Sequence, residues 1–192
     1  MKKFLIPEIA LTVLMVMSLT IEPDAAVLAE KEAAGLVKMR EEEKLALDVY
    51  SFLYDKWGIK TFANISKSEL QHTQRVKTLL DNYSVDDPVK NDTRGVFTDN
   101  AMTKLYNDLT SAGSKSVAEA ITVGLTVEDL DIKDLKELMA ETRNADILSV
   151  YTNLLNGSYN HMRAFTNQAN KYNVTYTPQY ISEKEYREIL KK

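Results

Sequence analysis

The chain has 192 residues with a formal net charge of −4, from 24 basic and 28 acidic side chains, and it contains no cysteine. Because the basic residues are interspersed with acidic ones and form no basic patch, nucleic acid is not an expected partner. Disulfide bonds are excluded, so the fold must depend on packing and on any metal that it binds.

The first residues have the pattern of a secretory signal peptide. Met1-Lys2-Lys3 leads into the apolar run Ile9 to Ile21, and Val27 and Ala29 are small residues of the kind that signal peptidase reads. The run has about 13 residues, fewer than the ~20 that cross a bilayer. We therefore expect cleavage of residues 1–29 and export to the periplasm or the cell exterior, with no stable membrane span. An uncleaved membrane anchor is the alternative.

The rest of the chain predicts an all-helical domain. Only six glycines and four prolines occur, and the apolar residues repeat at steps of three and four. Gly58 and Gly113 are expected helix stops, and Asn144 can cap the last long helix. The predicted helices run from about Glu30 to Trp57, Phe62 to Tyr83, Asp99 to Ala112, Ser116 to Glu141, and Ala145 to Tyr172.

The order of these helices is hairpin, crossover with an extra helix, then hairpin. That order is typical of a ferritin-like four-helix bundle, which we expect over residues 30–172. A C-terminal tail, residues 173–192, should carry a short helix on the surface of the bundle, with Ser182 and Glu185 as its capping box.

Both histidines of the chain, His72 and His161, fall on the inward stripes of predicted helices. Glu69 lies one turn before His72 on the same stripe, so the two side chains should point into the core together. A lone inward histidine is more often a hydrogen-bonded core residue than a ligand. The nearby carboxylate is what favours a metal.

Further carboxylates interrupt the stripes of the other helices. On the first helix, the frame through Glu43 ends on Trp57, whereas the frame through Glu42 ends on Lys56, so Glu43 is favoured as inward-facing. Glu42 would then lie at the edge and Glu41 in solvent. The alternative is that this acidic run is a solvated helix surface.

Glu128 and Asp131 lie one turn apart in the apolar seam of the fourth predicted helix. Burying two ionised carboxylates without a cation costs several kcal/mol. Counted over the four long helices, the candidates supply four carboxylates and two imidazoles. Such a ligand set predicts a carboxylate centre with two iron ions, with manganese or zinc as alternatives.

Four blocks of sequence resemble the uncharacterised ferritin-like family called domain of unknown function 2202, over about Gly35 to Gln168. The blocks are Met39-Arg-Glu-Glu-Glu-Lys-Leu-Ala-Leu-Asp-Val-Tyr50, Ser68-Glu-Leu-Gln-His72, Val127-Glu-Asp-Leu-Asp-Ile132 and Gly157-Ser-Tyr-Asn-His161. The resemblance implies a ferritin-like bundle, with a di-metal centre inferred from the wider superfamily.

The wider ferritin and rubrerythrin pattern also implies a helix-A glutamate seven residues before a tyrosine, which Glu43 and Tyr50 match. It has Glu-x-x-His on two helices, and here the chain departs from it. Ser158 stands where the second pair would place its carboxylate. We infer that Asp131, one turn beyond Glu128, replaces that carboxylate.

Two functions follow from this reading. In the first, an exported di-iron protein oxidises ferrous iron or reduces oxygen or peroxide, with Tyr50 as a candidate electron donor. In the second, the protein is a non-catalytic metal-binding or structural module of the cell envelope.

Overall fold

The computed structural model describes residues 28–191, which form six helices and no strand within that range. The expected signal segment therefore lies outside the described residues, apart from its last two. No helix in the described range is long and apolar enough to span a membrane. The helices are α1 Glu30–Trp57, α2 Lys60–Asn82, α3 Asn100–Gly113, α4 Val117–Glu141, α5 Ala145–Lys171 and α6 Glu183–Ile189.

The observed helices confirm the all-helical prediction, and their bounds differ from the expected ones by at most two residues. α1 is capped at its C-terminal end by Gly58, whose φ of 66° is left-handed and whose N–H donates to the Tyr54 carbonyl. Glycine adopts this conformation without a steric penalty, so the chain reverses at once into α2.

The four long helices pack mainly in two pairs. α1 packs on α2 and α4 packs on α5, while α1 also contacts α4 and α2 contacts α5. The short α3 packs on α1 and α4, on the path between the pairs. This arrangement brings one face of each long helix to a shared interior.

Apolar side chains fill that interior as two separate clusters. One cluster contains Tyr50, Phe62 and Phe165, and the other contains Leu36 and Tyr151. Along α1, α2 and α5, the polar residues of interest lie between the residues of the two clusters, and on α4 Glu128 lies between Val127 and Ile132 of the first cluster. The polar centre is therefore closed on both sides by packed apolar groups.

Three expectations about polar side chains need correction or refinement. Glu41 is only 4% exposed, not in solvent, because its carboxylate accepts hydrogen bonds from the Thr98 and Asp99 N–H groups ahead of α3. Asn144 begins α5, but its side chain caps no backbone N–H and donates to Glu32 Oε1 at 3.0 Å. Ser182 does cap α6, accepting from the Glu185 N–H at 3.1 Å.

The C-terminal tail is held to α4 by Asp129, which the sequence did not single out. This residue is fully buried, and its carboxylate accepts hydrogen bonds from the Tyr176 hydroxyl and from the N–H groups of Gln179, Tyr180 and Ile181. Backbone N–H groups that lose a buried acceptor are costly. The tail is thus anchored to the folded core, since Ile181 also packs there.

We expect Asp129→Asn to lower the free energy of unfolding by about 2–3 kcal/mol, because an amide cannot accept from four donors as a carboxylate does. Urea unfolding followed by circular dichroism measures the change. Asp108→Asn, at an exposed position on α3, is the matched control and should change stability by less than about 0.5 kcal/mol. Equal stability of the two variants would contradict the role assigned to Asp129.

Candidate metal centre

The four long helices bring five of the sequence-predicted residues together. Glu43 comes from α1, Glu69 and His72 from α2, Glu128 from α4 and His161 from α5. All five side chains are buried, and the three glutamates are each no more than 2% exposed. Sequence spacing predicted that each would face inward, and the helix packing places them side by side.

Glu69 lies between the two histidines. Its Oε2 is 2.7 Å from His72 Nδ1, and its Oε1 is 2.8 Å from His161 Nδ1. The two imidazole rings are stacked, with centroids 5.6 Å apart. One carboxylate therefore has an oxygen directed to each ring.

A second carboxylate completes a cluster around each histidine. Glu43 Oε2 lies 3.3 Å from His72 Nδ1, and Glu128 Oε2 lies 3.5 Å from His161 Nδ1. The result is two groups of three possible ligands that share Glu69: Glu43 with Glu69 and His72, and Glu69 with Glu128 and His161.

Two buried donor atoms of these clusters are not hydrogen-bonded among residues 28–191. Glu43 Oε1 has no hydrogen-bond partner, and His161 Nδ1 makes no aligned hydrogen bond, although Glu69 Oε1 lies 2.8 Å from it. Carboxylate oxygens with one imidazole nitrogen suit divalent iron, manganese or zinc. An ion in each cluster would satisfy the unpaired atoms.

The charges of the centre shift the pKa of every member. Burial lowers the pKa of His72, but its hydrogen bonds with Glu43 and Glu69 and their charges raise it more, to about 10. Burial likewise lowers the pKa of His161, and the charges of Glu128 and Glu69 raise it to about 11. The neighbouring carboxylates therefore favour the protonated form of both imidazoles, and a metal ion would have to displace a proton from each of them to bind.

The pKa values of the carboxylates differ according to the groups around them. Burial raises the pKa of Glu69, but the two imidazolium groups, His161 foremost, lower it to about 2. Burial raises the pKa of Glu43 to about 8, against the hydrogen bond with His72. The central carboxylate is thus the most firmly ionised group, which is the property that a bridging ligand needs.

Tyr50 contacts the centre through its hydroxyl, which donates to Glu128 Oε1 at 2.6 Å. Its ring packs against those of Phe62 and Phe165, with centroids 6.0 and 5.2 Å away. Burial raises the pKa of Tyr50 well above its ordinary value, and the charge of Glu128 adds to the effect. The phenol is therefore a neutral donor that orients Glu128.

Asp131 lies beside the two clusters and belongs to neither. It is half-buried, and its Oδ2 accepts a hydrogen bond from the Ser158 hydroxyl. Burial raises the pKa of Asp131 well above its ordinary value, as do the charges of Glu43 and Glu128. The structure thus brings together the two positions that the sequence linked.

Glu42 points away from the histidines. It is buried between α1 and α4, with Oε1 3.4 Å from Lys38 Nζ. Burial raises its pKa well above the ordinary value, Lys38 opposes that shift, and the carboxylates of Asp134 and Asp131 reinforce it. Glu43, and not Glu42, lies beside His72. That Glu43 is the metal ligand from α1 remains a prediction.

Gly157 lies against the site, a role that the sequence pattern did not predict. A Cβ atom at this position would lie 2.6 Å from His72 Cε1 and 2.7 Å from its Nε2, so only glycine lets the ring lie against α5. An isolated glycine inside a helical pattern, four residues before His161, was the available signal.

The fold and the buried clusters define a class of all-helical domain with a glutamate and histidine centre. Residues 32–192 match the family described as Uncharacterized protein domain (DUF2202), and the chain belongs to that family. The family resemblance of the four sequence blocks is confirmed.

One relative is similar to most of this chain, both in sequence and in its crystal structure. The chain is 52% identical over 163 residues to uncharacterized protein MJ0754 of Methanocaldococcus jannaschii, a match covering 85% of this chain and 88% of the relative. The crystal structure of hypothetical protein MJ0754 from Methanococcus jannaschii DSM 2661 superposes with a TM-score of 0.85 at 52% identity. That superposition covers 86% of this chain and 94% of the other.

We expect Gly157→Ala to weaken metal binding at the Glu43, Glu69 and His72 cluster by at least about tenfold, because the new methyl group displaces the imidazole. The same change should not destabilise the helix, since alanine is about 1 kcal/mol better than glycine there. Calorimetric metal titration and urea unfolding measure the two effects. Gly35→Ala, which crowds Leu138 instead, is the control; equal affinities in both variants would contradict the positioning role.

The metal-free protein should lose stability as the pH rises above about 6.5. Histidine has an ordinary pKa of 6.5, and the fold raises it to about 10 in His72 and about 11 in His161. The stabilisation is therefore complete below the ordinary value and is lost as the pH rises toward the folded-state values. Urea unfolding in EDTA at about pH 6 and about pH 9 measures it. The double variant His72→Ala and His161→Ala should show a smaller change; an equal change would place the titrating groups elsewhere.

Proposed function

We propose that this protein is a ferritin-like four-helix bundle that holds two iron ions, with manganese or zinc as alternatives. The observation that carries the proposal is the shared carboxylate of Glu69, which directs one oxygen to each of two buried histidines. The pairing of α1 with α2 and of α4 with α5, with α3 on the path between them, supports the hairpin, crossover, hairpin topology.

In this proposal each ion has one histidine and one terminal glutamate. Glu43 and His72 would hold the first ion, Glu128 and His161 would hold the second, and Glu69 would contribute to both sites. Bound as ferrous ions, the pair would supply electrons for reducing oxygen or peroxide, or would be the site where ferrous iron is oxidised.

The protein's own residues would set the spacing, exclude water and orient the ligands. The apolar clusters on both sides keep bulk water from the centre. Tyr50 fixes one oxygen of Glu128 by its hydrogen bond, which leaves the other oxygen for the metal. As the buried phenol nearest that ligand, Tyr50 is also our candidate electron donor.

We propose Asp131 as the fourth carboxylate of the centre. Its hydrogen bond with Ser158 supports this, because Ser158 stands where the wider superfamily has a glutamate. A small hydroxyl on α5 leaves room for a carboxylate reaching from α4. The chain would thereby keep four carboxylates while taking one from a neighbouring helix.

We also propose that the protein is exported. Export favours the alternative, non-catalytic function. The chain has no cysteine with which to ligate an electron-transfer centre. A non-catalytic metal-binding or structural module of the cell envelope needs no reductant. Oxygen consumption and colour development after ferrous iron is added would identify the oxidase, and their absence with two ions bound would identify the structural module.

We expect His72→Ala and His161→Ala each to remove one of the two ions while the protein stays helical, because each imidazole is assigned to a different ion. Metal analysis of the purified variants gives the content per chain, and circular dichroism gives the helicity. Gln74→Ala, at an exposed position next to the α2 site, is the control. If both histidine variants kept two ions at unchanged affinity, the histidines would be ordinary core residues.

We expect Asp131→Asn to weaken metal binding by about 10–100-fold, because the centre loses a negative charge next to its ligands. Ser158→Glu in the Asp131→Asn background should recover the affinity, since it supplies a carboxylate from α5. The two changes should therefore be coupled and not additive in calorimetric titrations. Additive losses would show that the two positions do not serve the same ion.

A further inference from the structure

The proposed centre lies inside the helices, so an ion must cross packed protein to reach it. Glu43, Glu69 and Glu128 are each no more than 2% exposed. A divalent cation loses its hydration on the way, and only closely spaced oxygen ligands can replace that water. A line of carboxylates from the surface to the centre would provide them.

Glu42 has the features of an intermediate position on such a line. Glu42 is only 7% exposed, yet its Oε2 has no hydrogen-bond partner among residues 28–191. Its position one residue before Glu43 turns it about 100° around the helix, toward α4 and away from the histidines. A buried carboxylate oxygen without a donor is an available ligand for a cation.

Asp134 continues the line outward from Glu42. Its carboxylate is buried and lies next to that of Glu42. Lys38 Nζ at 3.0 Å and Lys133 Nζ at 2.9 Å cover it from outside. These lysine side chains are 42% and 36% exposed, so both can move into solvent and uncover the acidic pair.

Asp131 continues the line inward. It lies one turn before Asp134 on α4, and its charge acts on both Glu42 and Glu43. We propose that Asp134 and Glu42 form a transit site through which divalent cations pass between α1 and α4 to Asp131 and the rest of the centre, with Lys38 limiting access from solvent. This inference rests on the proposed function.

A second route competes with this one. The side chains of His72 and His161 are each 9% exposed, so the outer edges of the rings reach the surface between α2 and α5. Within residues 28–191, the possible ligand groups that contain these histidines include Glu43, Glu69 and Glu128 and no further carboxylate. The two routes can be separated because Glu42 and Lys38 lie only on the first.

The test is the rate at which the full-length, metal-free protein takes up Co²⁺, followed by the visible absorption of the protein-bound ion in a stopped-flow instrument. Glu42→Gln should slow uptake at least about tenfold and leave the final number of ions per chain unchanged. Lys38→Met should accelerate uptake by a similar factor, because it removes the positive charge at the outer end. Glu119→Gln, which removes the same negative charge at an exposed position of α4, is the matched control for Glu42→Gln.

The outcomes separate the transit site from the centre. If the wild-type protein bound no Co²⁺, the proposed function and this inference would both fail. If the wild-type protein bound two ions and Glu42→Gln took them up at the control rate, only the transit site would be overturned. A Glu42→Gln variant that took up fewer ions at equilibrium would make Glu42 a ligand of the centre and would equally overturn the route. Circular dichroism checks that each variant is folded. Lys38→Met alters a side chain that reaches the surface, so its rate of Co²⁺ uptake tests the route independently of Glu42→Gln.

Discussion

The ion-paired contact of Glu69 with both histidines is the interaction on which the rest of the centre depends. One carboxylate in contact with two stacked imidazoles links α2 to α5, because His161 comes from the other helix. Glu43 and Glu128 then add the neighbouring helices α1 and α4. Every long helix therefore contributes a charged group to one buried point, and the apolar clusters pack on either side of it. Such a group of charges is costly to bury unless each is paired.

The acidic run of α1 illustrates how a helix distributes adjacent residues. Glu41, Glu42 and Glu43 follow one another at steps of about 100°, so they face three different partners. The first accepts backbone hydrogen bonds at the start of α3, the second lies against α4, and the third meets His72. Three residues that look alike in the sequence thus serve the crossover, the neighbouring hairpin and the centre.

Asp131 of α4 pairs with Ser158 of α5 beside the two clusters. A carboxylate on α4 and a hydroxyl on α5 meet where two like-charged side chains would repel each other. Tyr50 acts on the opposite side by orienting Glu128. The centre is therefore asymmetric in its surroundings, although the two ligand clusters are alike in composition.

The sequence by itself determined the helices and the inward positions of His72, Glu69 and Glu43, because helical periodicity assigns a face to every residue. It also determined the family, since the motif blocks are local. Only the tertiary structure decided which inward residues meet, because a helix face does not reveal its partner helix. The burial of Glu41, the Asp129 hydrogen bonds to the tail and the contact of Gly157 with His72 all depend on segments distant in the chain. Their acceptors, donors and free space come from other elements, and no local pattern encodes them.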